Sequence, residues 1–86
     1  MKVNWIIEPN CHGLVDQFPF MLHPNLDYEL YGRLQEKLVK SSAWWAANSL
    51  EPGHCMRMTV GRNEFVILKT EQDVALFLLR WEGCDA

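Results

Sequence analysis

Apolar and polar residues alternate through residues 2 to 8, "KVNWIIE". Val3, Trp5 and Ile7 fall on one side, and Asn4, Ile6 and Glu8 on the other. A period of two built from β-branched and aromatic residues predicts a strand. Pro9-Asn10 ends it. The next stretch, "NCHGLVDQFPFMLHPNL", carries Gly13, Pro19 and Pro24 and reads as a long connection. A short strand around Phe18 to Leu22 is expected within it, and Pro19 places that strand at a sheet edge. Unstructured connections of this length are uncommon in small domains. Phe18, Phe20, Met21 and Leu22 indicate that this one packs over something.

The period then changes. Leu26, Leu30, Leu34 and Leu38 recur every four residues in "LDYELYGRLQEKLVK", and Tyr31 and Trp45 extend the stripe. A helix is expected over 26 to 40. Asn25 or Asp27 caps its start. Asp27 and Glu29 suit its positive end, and Lys37 and Lys40 its negative end. Gly32 costs about 1 kcal/mol there relative to alanine, which a close neighbour at that turn would explain.

Residues 56 to 69, "MRMTVGRNEFVILK", read as a β-hairpin turning at Gly61-Arg62-Asn63. Thr70-Glu71-Gln72-Asp73 has the form of a capping box, with aspartate in the last place. A second helix follows to about Glu82 and ends near Gly83, with Val74, Phe77, Leu78 and Trp81 as its buried stripe. The order strand, connection, helix, strand, strand, helix predicts one α+β domain over residues 1 to 86. Its expected sheet is small, three-stranded, antiparallel or mixed, in order 1-3-2. Both helices lie on one face, as in a truncated ferredoxin-like split β-α-β fold.

Two hairpin registers are open. If Val60 opposes Phe65, one face carries Met58, Val60, Phe65 and Ile67, and the other Arg57, Thr59, Val66 and Leu68. If Val60 opposes Glu64, Phe65 and Ile67 join Arg57, Thr59 and Lys69 instead. Either way two large apolar residues lie on the sheet face away from the helices. The Phe18 to Leu22 connection, another protein or a second copy must cover them. "SSAWWAANS" poses the same choice. Adjacent helical residues point about 100° apart, so Trp44 and Trp45 do not share a pocket. Trp45 continues the Leu34/Leu38 stripe into the core. Trp44 then either lies flat under the 48 to 55 loop or anchors an interface.

Composition narrows the functions. The chain has 86 residues, 49% hydrophobic and 22% charged, a globular balance. Eleven acidic against eight basic residues disfavour nonspecific nucleic-acid binding. No apolar run is long enough for a membrane span, and "MKVNWIIEPN" lacks a signal peptide's apolar stretch. An odd count of three cysteines then suggests reduced thiols in a cytoplasm.

"NCHG" and "PGHC" pair Cys11 with His12 and His54 with Cys55, but adjacent ligands diverge and lack the spacing of zinc knuckles. A Cys55 nucleophile with His54 or His12 as base lacks an orienting third residue. Glu8, Asp16, Glu51 and Asp73 offer no recognisable acid/base pair, and Gly53 and Gly61 are isolated turn glycines. No catalytic residue, metal or cofactor is expected.

The tail "TEQDVALFLLRW", with "WW" and a hairpin leading into the final helix, resembles the small uncharacterised proteins of tailed bacteriophages. The resemblance covers the C-terminal half. It implies an early phage protein in the host cytoplasm that binds and inhibits or redirects a host protein complex. The expected function is a small non-enzymatic protein-binding module whose partner is a larger protein or a second copy. Its expected anchors are Trp44, Phe18, Phe20, Phe65 and Arg62, with Arg57 at the rim. The alternative is a single-stranded nucleic-acid binder that uses Arg57, Phe65 and Lys69 on an open sheet face.

Overall fold

In the computed structural model, which describes residues 2–26 and 31–85, the chain begins with a β-hairpin. Strands β1 (Lys2–Pro9) and β2 (Phe20–Asn25) run antiparallel, with Pro9 opposite Phe20 and Trp5 opposite Pro24. Helix α1 (Tyr31–Ser49) follows, then β3 (Cys55–Val60), β4 (Asn63–Leu68), helix α2 (Glu71–Trp81) and a two-residue β5 (Cys84–Asp85). All pairings are antiparallel, in the order β3-β4-β2-β1-β5.

This is an α+β domain with two helices, but not the expected three-stranded 1-3-2 sheet. The segment assigned to a sheet edge is the central strand, inserted between β1 and β4. Its prolines tolerate that place. Pro19 precedes the strand. The Asn10 N–H donates to the Pro19 carbonyl at 2.9 Å, so hydrogen-bonded pairs alternate from there, and Trp5–Pro24 is a non-hydrogen-bonded pair. The Pro24 nitrogen therefore points away from β1, to a side where the β4 pairing has already ended at Leu22. No ladder bond is lost. A split β-α-β unit is present, but its parallel strands are β2 and β3, with β4 between them.

Helix α1 runs nine residues beyond the expected end at Lys40. Leu30, Asp27 and Glu29, and the side chain of Tyr31, lie outside the described residues. Gly32 has non-helical backbone angles in the first turn and no close neighbour, so the expected packing reason for it is absent. The stripe also differs from the leucine repeat. Asn25 belongs to β2 and Leu26 precedes the helix, yet Leu26, Leu38 and the half-buried Leu34 pack with Val3 in a small core cluster of their own. A spacing of four advances about 40° per step around a 3.6-residue helix, so the helix's buried face takes other residues besides the leucines. Gln35, Leu38, Val39, Ser42 and Ala46 are buried, and Leu34 is half-buried. Helix α2 matches its reading closely. The Thr70 hydroxyl accepts from the Asp73 N–H, and the Asp73 carboxylate accepts from the Thr70 N–H, both at 3.0 Å. Val74, Phe77 and Trp81 are buried.

The β3–β4 register places Val60 opposite Asn63 and Met58 opposite Phe65. Its parity is that of the first register considered, but the turn is the two residues Gly61-Arg62. Gly61 has φ +62° and Arg62 does not have a positive φ, as a type II′ hairpin requires. The helix-facing side carries Trp5, Leu22, Val66 and Leu68, packed with Val39, Ala46, Leu50, Val74, Phe77 and Trp81. The reverse side holds a second cluster of Met21, Phe65 and Ile67, closed by Phe18.

The chain thus covers much of its second face itself, with the β1–β2 connection. Asn10 shapes that loop. Its side-chain amide donates to the carbonyls of Gly13 at 2.8 Å and Phe18 at 2.7 Å, and its oxygen accepts from the His12 N–H at 3.1 Å. The Phe18 N–H donates to the carbonyl of Leu14, which sits in a left-handed conformation at φ 54°. These bonds fold the loop back and set Phe18 on the sheet.

Candidate functional site

Helices α1 and α2 leave an open groove of about 450 Å³ between them, lined by Lys40, Ser41, Trp44, Trp45, Arg80 and Trp81. Its floor is an aromatic stack continuous with the core. Trp45 meets Phe77 and Trp81 edge-on, with ring centroids 6.3 and 6.5 Å apart, and Phe77 lies nearly parallel to Trp81. The Trp5 ring closes the stack beneath, 4.9 Å from Phe77 and nearly perpendicular to it. Both Trp45 and Trp81 are held in place by this packing.

Trp44 is not held in this way. Its residue surface is 71% exposed, which overturns the alternative of an indole lying flat beneath the following loop. The 100° step from Trp45 carries it over the rim of the groove. An indole in water forgoes burial worth on the order of 2–3 kcal/mol, so this position is costly unless something covers it.

The charge around Trp44 is opposite in sign to that of the whole chain. Arg80 places its guanidinium 4.3 Å from the centre of the Trp81 ring, a cation–π arrangement that fixes its charge at the groove wall. Lys40 lies one helical turn before Trp44, and its ammonium pairs with Glu36 at 2.6 Å. That contact holds the Glu36 carboxyl below its ordinary range, through the Lys40 hydrogen bond and charge. A neighbouring depression on α1 is lined by Arg33, Glu36, Lys37, Lys40 and Ser41. Four cations and one carboxylate therefore border these connected surfaces, on a protein of net charge -3.

The expected anchors do not form one patch. Phe18 and Phe65 are 4% and 7% exposed and belong to the second core cluster, so neither presents its ring at the surface. Phe20 is half-buried against the main core. Arg62 is exposed at the hairpin tip, and Arg57 is exposed on the helix-facing side of β3. Of the six, Trp44 alone lines the groove. Lys40 and Arg80 were missed. Lys40 had a signal, its four-residue spacing from Trp44 on one helix. Arg80 had none, because its place depends on how α2 packs beside α1.

The Cys/His fragments do not converge. Cys55, Leu68, Phe20 and Pro9 lie in a row across β3, β4, β2 and β1. Cys55 is therefore about 14 Å from the Pro9 end of β1 at strand spacing, and Cys11 is in the loop that follows Pro9. All three cysteines are free, and among the described residues no His/Cys/Asp/Glu group is arranged to hold a metal ion.

His54 does acquire an orienting partner that its sequence neighbours did not reveal. Its Nδ1 lies 3.0 Å from the buried Asp73 carboxylate, and its Nε2 3.3 Å from Glu51. This brace ties the start of β3 to the cap of α2. The Cys55 thiol points instead toward the Ala43 carbonyl. Burial, with a smaller effect from the nearby Asp73 charge, raises its pKa to about 11. At pH 8 roughly one Cys55 in a thousand is then a thiolate, against about a quarter for a free cysteine of pKa 8.5. Iodoacetamide at pH 8 is expected to modify Cys55 at least 100-fold more slowly in the folded protein than in urea. Equal rates would remove the burial argument.

No protein-family model, curated protein or solved structure matches this chain. Among the described residues no helix is long and apolar enough to cross a membrane.

Proposed function

We propose that the protein is a non-enzymatic binding module that docks an acidic segment of a larger protein onto the α1–α2 groove, with Trp44 as the anchor. The observation that carries this reading is the exposed Trp44 indole beside a preformed aromatic floor, in a groove that Lys40 and Arg80 also line. Trp45 and Trp81 pay no ordering cost on binding, because the core already fixes them. An apolar or aromatic side chain of the partner would lie between Trp44 and that floor, and flanking carboxylates would meet Lys40 and Arg80. In the phage reading the partner is a host protein and the consequence is inhibition or redirection of its complex.

The sheet-face nucleic-acid reading loses its support. It needed the second hairpin register. In the observed register Arg57 lies on the helix side, and Phe65 is buried on the reverse side.

Selection from a displayed peptide library tests the proposal. Binders are expected to carry two or more carboxylates around an aromatic or large aliphatic residue. Trp44→Ala should weaken their binding about 30-fold or more, equivalent to about 2 kcal/mol, while moving the melting temperature little, as expected for an exposed side chain. Failure to select any peptide, or a Trp44→Ala protein that binds selected peptides unchanged, defeats it. Retention of oligonucleotides with a steep salt dependence would point to the other class of partner.

A further inference from the structure

The two edges of the sheet are treated differently. The β1 edge is guarded. The β5 strand pairs with Lys2 and Val3, the Gly83 N–H donates to the Val3 carbonyl, the Glu82 carboxylate accepts the Trp5 N–H at 2.9 Å, and Pro9 carries no N–H to offer. Such devices prevent strand addition. The β3 edge has none of them. The Lys69 N–H donates to the His54 carbonyl, so the pairs facing β4 are His54–Lys69, Met56–Ile67, Met58–Phe65 and Val60–Asn63. The N–H and C=O groups of Cys55, Arg57 and Thr59 consequently point outward. None has a hydrogen-bond partner among the described residues. The strand is six residues long and lacks proline.

We propose that this edge pairs with a second copy of the chain, β3 against β3 about a two-fold axis at Met58, making one continuous antiparallel sheet. This axis sets Arg57 opposite Thr59 of the second copy and Met56 opposite its Val60. Two features favour it. On the reverse face Met56, Met58 and Val60 would meet their counterparts and extend the cluster closed by Phe18; Met56 is otherwise exposed and Met58 half-buried. On the helix face Thr59 donates to the Glu64 carboxylate at 2.8 Å, so that carboxylate sits beside Thr59. Arg57 of one copy would then face Glu64 of the other, and the two-fold makes the pair twice. An axis at Arg57 would instead set two guanidiniums against each other. The proposal is independent of the groove between the helices.

Sedimentation of the full chain at concentrations up to about 1 mM is expected to show a species of twice 10.1 kDa. Thr59→Pro removes an outward N–H and leaves the β3–β4 ladder intact, so it should yield a monomer. Arg57→Glu should weaken the dimer at least 10-fold, and combining it with Glu64→Arg should restore it, with circular dichroism confirming native folding. Arg57 is exposed, so this pair reports even if Thr59→Pro fails to fold. A monomer at every concentration overturns the proposal. So does a dimer that folded Thr59→Pro or Arg57→Glu leaves unchanged, since it would use another surface.

Discussion

Phe77→Ala is expected to destabilise the domain by about 3–5 kcal/mol, the usual cost of emptying a fully buried phenylalanine site. Phe77 is wholly buried and touches the three aromatic residues that define the helix-side core: Trp5 from β1, Trp45 from α1 and Trp81 from its own helix. These neighbours are large and held from three elements, so they cannot collapse easily into the space, and the cost should fall in the upper part of that range. In a domain of this size each kcal/mol moves the melting temperature by about 4–8 °C. A drop of at least about 12 °C in thermal denaturation is therefore expected, against little change for Leu79→Ala, which removes a side chain that is 83% exposed. Phe77 also supports the groove floor. The variant should lose peptide binding along with stability, whereas Trp44→Ala should lose binding alone. A Phe77→Ala protein that melts within a few degrees of wild type would show that the helix-side packing is not as described.

What the chain discloses about itself depends on how far apart the determinants are. The α2 helix and its capping box were legible because Thr70 and Asp73 act across three residues and the Val74/Phe77/Trp81 stripe has a clean helical period. That Trp44 and Trp45 point different ways was legible for the same reason, since one 100° step decides it; that Trp44 is left uncovered was not. The central position of β2 was not. Pro19 and Pro24 speak against a central strand by local rules, and only the alternation of ladder bonds from Asn10–Pro19 shows that the Pro24 nitrogen meets no partner strand. The site was legible in part. Trp44 stood out, but Arg80 reaches the groove only through the packing of α2 beside α1, far from Trp44 in sequence. The burial of Phe18 and Phe65 was not legible on the same ground, because whether an apolar residue on a second sheet face is covered depends on where a distant loop folds.

Phe18→Ala decides between the two roles that its position allows. As part of the second core cluster, Phe18 excludes water from Met21, Phe65 and Ile67, and it is the one member supplied by the β1–β2 connection. Its loss is expected to cost about 3 kcal/mol, the lower end of the range for Phe→Ala, because the cluster lies close to solvent and water can enter rather than leave a void. The exposed Met21, Phe65 and Ile67 should bind a hydrophobic dye and promote association, since a bared apolar sheet face is an aggregation surface. Asn10→Ala should produce a smaller version of the same result, because it removes the bonds that turn the loop toward the sheet. An anchor for a partner would behave in the opposite way, losing affinity with an unchanged melting temperature and no dye binding. That outcome for Phe18→Ala would return the second sheet face to the list of docking surfaces and leave the connection as a movable cover rather than a fixed wall of the core.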